Sequence, residues 1–298
     1  MHDALLARFR QGDRLALSRL LTLVARGESV EAILAGVGPP AKPVRVVAVT
    51  GSGGVGKSTL VGKLIETARA AGRTVAVLAC DPQSPLSGGA LLGDRFRMPA
   101  RPDDAGVFIR SLAAAGGQGA LAEHLDAVIR LVESFGFDVI LLETVGAGQG
   151  DTVVRDLVDV LVLLLQPETG DDLQWEKAGL FEVADRIVVH KADLPGADRV
   201  EAQVKTSLGL TAGLDVPVFR VSSRTGAGLA ELFASIEAAP LRRGVARSPR
   251  ELLRRAQQLM TRRFAERQND PALRDVLARW ERGEMESVAA LLEALATT

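Results

Sequence analysis

Residues 46–59, VVAVTGSGGVGKST, constrain the fold more than any other stretch of the chain. A short β-branched run enters Gly51-Ser52-Gly53-Gly54-Val55-Gly56-Lys57-Ser58-Thr59, which satisfies G-x-x-x-x-G-K-[ST]. Leu60, Leu64, Ile65 and Ala68 then recur at helical spacing. The spacing predicts a strand, a phosphate-binding loop and a helix. Glycines are needed because they let backbone N–H groups turn inward around phosphate oxygens, while the helix N-terminus presents positive charge to the same ligand. Lys57 is then expected to reach the β- and γ-phosphates and the Ser58 hydroxyl to ligate Mg²⁺.

The remaining apolar runs predict what surrounds this loop. Residues 74–79 read as a second strand that ends in Cys80-Asp81-Pro82, and Asp81 falls where strand carboxyl ends present ligands. Residues 107–110 read as a short strand followed by a small-residue loop over 111–119, and a helix is expected over 121–135. Residues 138–143 form a strand closing in Glu143, with Gly146 three positions on; a carboxylate for the Mg²⁺ shell and an amide for the γ-phosphate would suit that spacing. Gln149 is read either as a water-orienting residue or as an ordinary loop residue. Further strands are expected over 159–166, 186–189 and 216–221, the last two followed by His190-Lys191-Ala192-Asp193 and Ser222-Ser223-Arg224-Thr225-Gly226. Strands alternating with helices predict an α/β, doubly wound, mainly parallel sheet with its ligand at the carboxyl ends. Helices are expected before the first strand, where Leu17, Leu20, Leu21 and Val24 make a stripe. After residue 248 three stripes follow, the second being Leu273, Val276, Leu277 and Trp280. The division is read as a helical extension over 1–42, a nucleotide domain over 43–240 and a second helical extension over 241–298 that suits a dimer surface.

Composition narrows the partners. A net charge of −1 on 298 residues makes no electrostatic claim on nucleic acid or membrane. The arginines between 242 and 267 are read as a solvated helix face, since aromatic stacking residues are nearly absent beside them. One cysteine excludes an intramolecular disulfide and three histidines leave no metal-ligand cluster, so the expected compartment is cytoplasmic. Cys80 is expected to be a core residue. The opening MHDALLARFRQGDRL carries charges through its apolar positions, unlike a signal peptide or a membrane span.

Taken together, GSGGVGKST, DPQSPLSGGALLGDRFRM, ETVGAGQGDT, QPETGDDLQ and HKAD closely resemble the MeaB/ArgK family of GTPases, in the SIMIBI class of phosphate-loop enzymes. The resemblance runs over about residues 5–240, and the SGG-x-L-x-GD-x-x-RM run is its most specific part. It implies a GTPase that chaperones adenosylcobalamin-dependent acyl-CoA mutases, gating cofactor delivery and protecting the mutase, as a homodimer that uses GTP/GDP and Mg²⁺. Adenosylcobalamin would enter only through the partner mutase. By motif, the resemblance places Lys57 and Ser58 on phosphate and Mg²⁺, Asp81 and Asp94 near the metal, and Glu143 with Gly146 as γ-phosphate sensor. It makes residues 170–177 an extra switch facing the mutase. Lys191 and Asp193 would hold the guanine, with Ser222 and Ser223 beside it.

Two departures from the family pattern stand out. His190 replaces the asparagine of N-K-x-D and is read either as a base contact or as a structural loop contact. Trp175, Glu176 and Ala178 alter the extra switch, which suggests a mutase other than methylmalonyl-CoA mutase itself. Asp193 keeps GTP favoured over ATP. The competing readings are a non-catalytic nucleotide-dependent adaptor and an ATP-dependent kinase of a transport system.

Overall fold

The computed structural model describes residues 2–82, 104–114, 124–144, 154–167, 180–210 and 215–242, then 256, 260, 267 and 270–282. The chain divides into two compact units, Met1–Arg243 and Gly244–Thr298.

The first unit is built on seven strands: β1 (Arg45–Gly51), β2 (Val75–Pro82), β3 (Val107–Ala114), β4 (Val139–Glu143), β5 (Val160–Leu165), β6 (Arg186–His190) and β7 (Val218–Val221). They pair in parallel in the order β3-β2-β4-β1-β5-β6-β7. Every residue of β4 and β5 is buried, as central parallel strands covered on both faces require. The alternation of side chains along β1 sorts the core: Val46 and Ala48 face one layer, Val47 and Val49 the other. On the first face lie α1 (His2–Arg10), α2 (Arg14–Ala25), α3 (Val30–Val37) and α5 (Leu125–Phe135). On the second lie α4 (Lys57–Ala70) and the helix after β7, Leu229–Ala238. Between those two in chain order come α6 (Leu180–Val183) and α7 (Ala197–Leu210), so Leu229–Ala238 is α8; α7 packs on β5 and β6 through Val200, Val204 and Leu208.

The helical prefix is laid on the sheet and is fastened to its edge. Asp13 caps α2 by accepting from Leu15 N–H and Ala16 N–H at 2.8 and 3.1 Å. Leu17, Leu20, Leu21 and Val24 are fully buried, the stripe expected from their spacing. Arg14 donates to the carbonyls of Val107, at 2.8 Å, and Ala105, and Arg110 donates to Thr22 Oγ1 at 2.8 Å. Cys80 is buried in the same layer.

Both β2 and β3 run further than their composition suggests. The ladder continues through Cys80↔Leu112, Asp81↔Ala113 and Pro82↔Ala114, so residues 111–114 are strand where a loop is expected. Small residues have weak strand propensity, but neighbouring-strand hydrogen bonds override it. Pro82, which lacks an N–H, stands at the strand's last position, where its missing donor interrupts least. The helix expected from 121 is described from Leu125 onward.

Asp138 sits just before β4 and joins three elements. Its carboxylate accepts from Lys42 Nζ at 2.5 Å and from Thr74 N–H and Thr74 Oγ1, each at 2.7 Å. Burial pushes its pKa up, but the hydrogen bonds from Lys42 and Thr74 outweigh this and hold it at about 2, below its ordinary 3.8. A depressed carboxylate contributes stability above its unfolded-state value and loses it as pH falls through the folded one. Asp138→Asn is therefore expected to cost on the order of 2 kcal/mol at neutral pH, by the free-energy equivalent of the shift. The gap from wild type should close as pH falls from 3.8 to about 2 in urea titrations.

In the second unit, the described helix is α9 (Pro271–Glu281), preceded by an Arg267–Asp270 ion pair at 2.8 Å. Leu273 is buried, whereas Trp280, grouped with it by periodicity, is 49 % exposed. Among the described residues, no helix is long and apolar enough to cross a membrane.

Candidate nucleotide site

The carboxyl ends of β1, β4 and β6 and the loop after β7 bring Lys57, Ser58, Glu143, His190, Asp193, Ser222 and Ser223 to one end of the sheet. β1 passes into residues 52–56 and α4 begins at Lys57. Gly54 and Gly56 hold φ of +76° and +100°, left-handed values that only glycine adopts without strain. Among the described residues, a Cβ at Gly53 or Gly54 would meet nothing within 4 Å, whereas a Cβ at Gly56 would meet the His190 ring at 2.5 Å. Val55 points inward and is fully buried, anchoring the loop to the core.

The buried Lys57 ammonium lies back along the loop, donating to Gly51 O at 2.9 Å and Ser52 O at 3.1 Å. Next to it, Ser58 Oγ donates to Glu143 Oε1 at 2.6 Å, and both residues are buried. Register makes this pairing: β1 and β4 are neighbours with Val49 opposite Glu143, so the end of β4 faces the first turn of α4. Thr144 seals the junction, its N–H donating to Val49 O at 3.2 Å and its hydroxyl to Thr50 Oγ1 at 3.0 Å. Sequence reasoning missed Thr50 and Thr144; each adjoins a motif, yet only strand pairing brings them into contact. A hydroxyl and a carboxylate converging within hydrogen-bond distance are hard oxygen donors of the kind Mg²⁺ takes alongside phosphate oxygens. These residues therefore fit the ion. Among the described residues no cluster of three or more His, Cys, Asp or Glu forms a metal cage.

His190 closes the other side of the loop. It is buried, with Nδ1 2.8 Å from Val55 O and Nε2 2.7 Å from Ser223 Oγ. Because a carbonyl only accepts, Nδ1 carries the hydrogen, and in the neutral ring Nε2 accepts from the Ser223 hydroxyl. Both ring nitrogens are thus engaged within the protein. Burial pushes its pKa below the ordinary 6.5, helped by the Lys191 charge, against the opposing pull of the Val55 hydrogen bond and Asp193. Below pH 6.5 the unfolded chain binds a proton that the folded chain resists, so stability falls as the solution is acidified. His190→Ala should lose about 2–3 kcal/mol by orphaning two partners and opening a gap beside Gly56. Thermal melts from neutral pH downward should also show a shallower acid dependence for the variant.

Lys191 takes a left-handed φ of +55°, which turns the chain so that Ala192 N–H reaches Val221 O at 3.1 Å. Asp193 follows, its Oδ1 accepting from the buried Ser222 hydroxyl at 2.5 Å and its Oδ2 paired with Arg224 Nε at 2.9 Å. The Ser222 hydrogen bond is the main influence holding the Asp193 pKa down, with Arg224 adding to it. Asp81 lies at the end of β2. Asp94, Gly146, Gln149 and the altered switch residues Trp175, Glu176 and Ala178 fall outside the described residues.

Residues 17–276 match the family described as methylmalonyl Co-A mutase-associated GTPase MeaB. A Pyrococcus horikoshii protein named "Putative GTPase" is 42% identical over 242 residues, covering 79% of this chain and 76% of that one. The mouse methylmalonic aciduria type A homolog, a mitochondrial protein, is 38% identical over 194 residues, which is 63% of this chain and 47% of its own. GTPase ArgK of Escherichia coli K12 is 38% identical over 191 residues, 62% of this chain and 58% of its own. The crystal structure of an LAO/AO transport system kinase superposes with a TM-score of 0.65 at 23% identity, covering 98% of this chain and 95% of that one; the likeness is one of fold. With the phosphate loop, its hydroxyl–carboxylate pair and the match over most of its length, the chain belongs to the MeaB family of methylmalonyl-CoA mutase-associated GTPases.

Proposed function

We propose that this protein uses GTP binding and hydrolysis to gate adenosylcobalamin delivery to, and to protect, an acyl-CoA mutase of the methylmalonyl-CoA mutase type. The observation that carries the switch is the 2.6 Å bond from Ser58 to Glu143. It ties the phosphate loop to the end of β4, so a ligand that draws Ser58 away breaks this link between the loop and the strand. Lys57 exchanges the carbonyls of Gly51 and Ser52 for phosphate oxygens, which are stronger acceptors of a charged donor. Residues 51–59 cradle the phosphates through their N–H groups, while His190 holds the cradle in shape through Val55. Ser58 and Glu143, with Asp81 and Asp94 approaching, would hold Mg²⁺, which when bound neutralises charge between the β- and γ-phosphates. Glu143 and Gly146 would sense the γ-phosphate. Lys191 and Asp193 would hold guanine, with Ser222 orienting the carboxylate. Hydrolysis then reports to the mutase through residues 170–177, and residues 241–298 supply the homodimer contact.

The decisive experiment is GTP and ATP hydrolysis by the purified protein, alone and with a panel of adenosylcobalamin-dependent acyl-CoA mutases. The expected result is a preference for GTP and stimulation by one mutase. A rate unmoved by every mutase sinks the chaperone reading, and a preference for ATP sinks the guanine assignment.

A further inference from the structure

Arg224 has no assigned role in holding nucleotide, yet it pairs with the carboxylate assigned to the base. Asp193 is held from two sides that differ in kind. From the interior comes Ser222, buried, with its hydroxyl 2.5 Å from Oδ1. From the solvent comes Arg224, whose side chain is 75 % exposed while that of Asp193 is 15 % exposed, with Nε 2.9 Å from Oδ2. The backbone carrying Arg224 is pinned. Ser222 N–H donates to Ala227 O at 3.0 Å, Gly226 N–H to Ser222 O at 2.9 Å and Thr225 N–H to Ser222 Oγ at 3.2 Å. The long arginine side chain can leave without moving the turn.

Guanine presents two adjacent N–H donors, at N1 and the exocyclic amine, to a carboxylate. The guanidinium sets a positive charge against the same group from the accessible side, as an ion pair with Oδ2 at 2.9 Å. We propose that Arg224 is a latch on the base subsite, a surrogate ionic partner that guanine must displace from Asp193 before it can bind. This inference rests on the assignment of Asp193 to guanine recognition. Ser222 stays in place with nucleotide bound and keeps the carboxylate oriented, while Arg224 swings into solvent. A latch lowers the fraction of protein competent to bind, and apparent affinity falls by that fraction. An exposed ion pair is weak, so the latch is a modest one, about two- to fivefold.

The kinetic signature differs from that of a residue touching the bound base. Removing a latch that acts only on the free protein speeds association and leaves dissociation unchanged. The test is stopped-flow binding of N-methylanthraniloyl-GDP to the full-length protein, wild type against Arg224→Ala and Arg224→Lys, at low and high salt. Arg224→Ala should associate about two- to fivefold faster with the same dissociation rate. Arg224→Lys should fall between, and the advantage of Arg224→Ala should shrink as salt screens the wild-type ion pair. Faster dissociation of Arg224→Ala would mean that the guanidinium holds the bound nucleotide, and unchanged rates would mean that it does nothing there; either overturns the latch. Asp193→Asn, run in the same assay with guanine and xanthine nucleotides, separates the two claims. If it shifts the base preference while Arg224→Ala is silent, the latch alone fails; if it does not, the underlying base assignment fails.

Discussion

Replacing Asp193 with asparagine is expected to turn the protein from a guanine-nucleotide binder into a xanthine-nucleotide binder. The carboxylate accepts two hydrogens, and guanine offers them from N1 and its amine. An amide in the same place accepts one and donates one. Its oxygen can keep the Ser222 hydroxyl that Oδ1 now receives at 2.5 Å, leaving the NH₂ towards the base. There it meets the guanine amine donor to donor, but it matches the C2 carbonyl of xanthine. A site built on paired polar groups rejects the mismatched partner strongly, so GTP affinity should fall on the order of 10²- to 10⁴-fold and XTP affinity should rise. Competition of GTP, XTP and ATP for the labelled nucleotide measures both changes. Loss of GTP binding with no gain for XTP would place the base elsewhere.

Lys57→Ala should remove measurable GDP and GTP binding and, with it, hydrolysis. The ammonium is buried and already oriented along the loop by Gly51 O and Ser52 O, so little reorganisation separates it from a phosphate. Charge-assisted hydrogen bonds to phosphate are the strongest contacts available at the loop. Truncating a buried charge from such a pair costs several kcal/mol, equivalent to about 10²- to 10³-fold in affinity. Isothermal titration with GDP, paired with circular dichroism to establish that the variant is folded, tests this. A folded variant that binds GDP within tenfold of wild type would show that the phosphates are held some other way.

Much of this architecture was written in local pattern. The β-branched run into a glycine loop, and the continuous apolar runs at 139–142 and 160–165, specify covered parallel strands because no other element buries both faces of so short a segment. The stripe Leu17, Leu20, Leu21 and Val24 was legible for the same reason: one face of a helix must be apolar if it lies on a core. Local pattern failed where pairing decided the outcome. Ser111, Ala113 and Ala114 look like a loop, and they become strand only because β2 runs alongside to Pro82. Trp280 fits the stripe of Leu273 by spacing but lies open to solvent, since periodicity marks a face without saying what covers it.

The site divides along the same line. Chemistry that depends on residue type at fixed spacing was readable in one dimension: the glycines, Lys57 and Ser58, and a carboxylate at the end of an apolar strand. The sequence alone therefore determined a phosphate-loop GTPase of the MeaB family. Contacts between segments far apart in the chain belonged to the tertiary structure. Ser58 meets Glu143, 85 positions away, because β1 and β4 are neighbours in register. His190 became a brace between Val55 and Ser223, 135 positions before and 33 after it, because β6 and β7 bring their ends up beside the loop. Arg224 reached Asp193 in the same way. A side chain's identity states which bonds it can make, but the order and register of the strands decide which partners lie within about 3 Å of it.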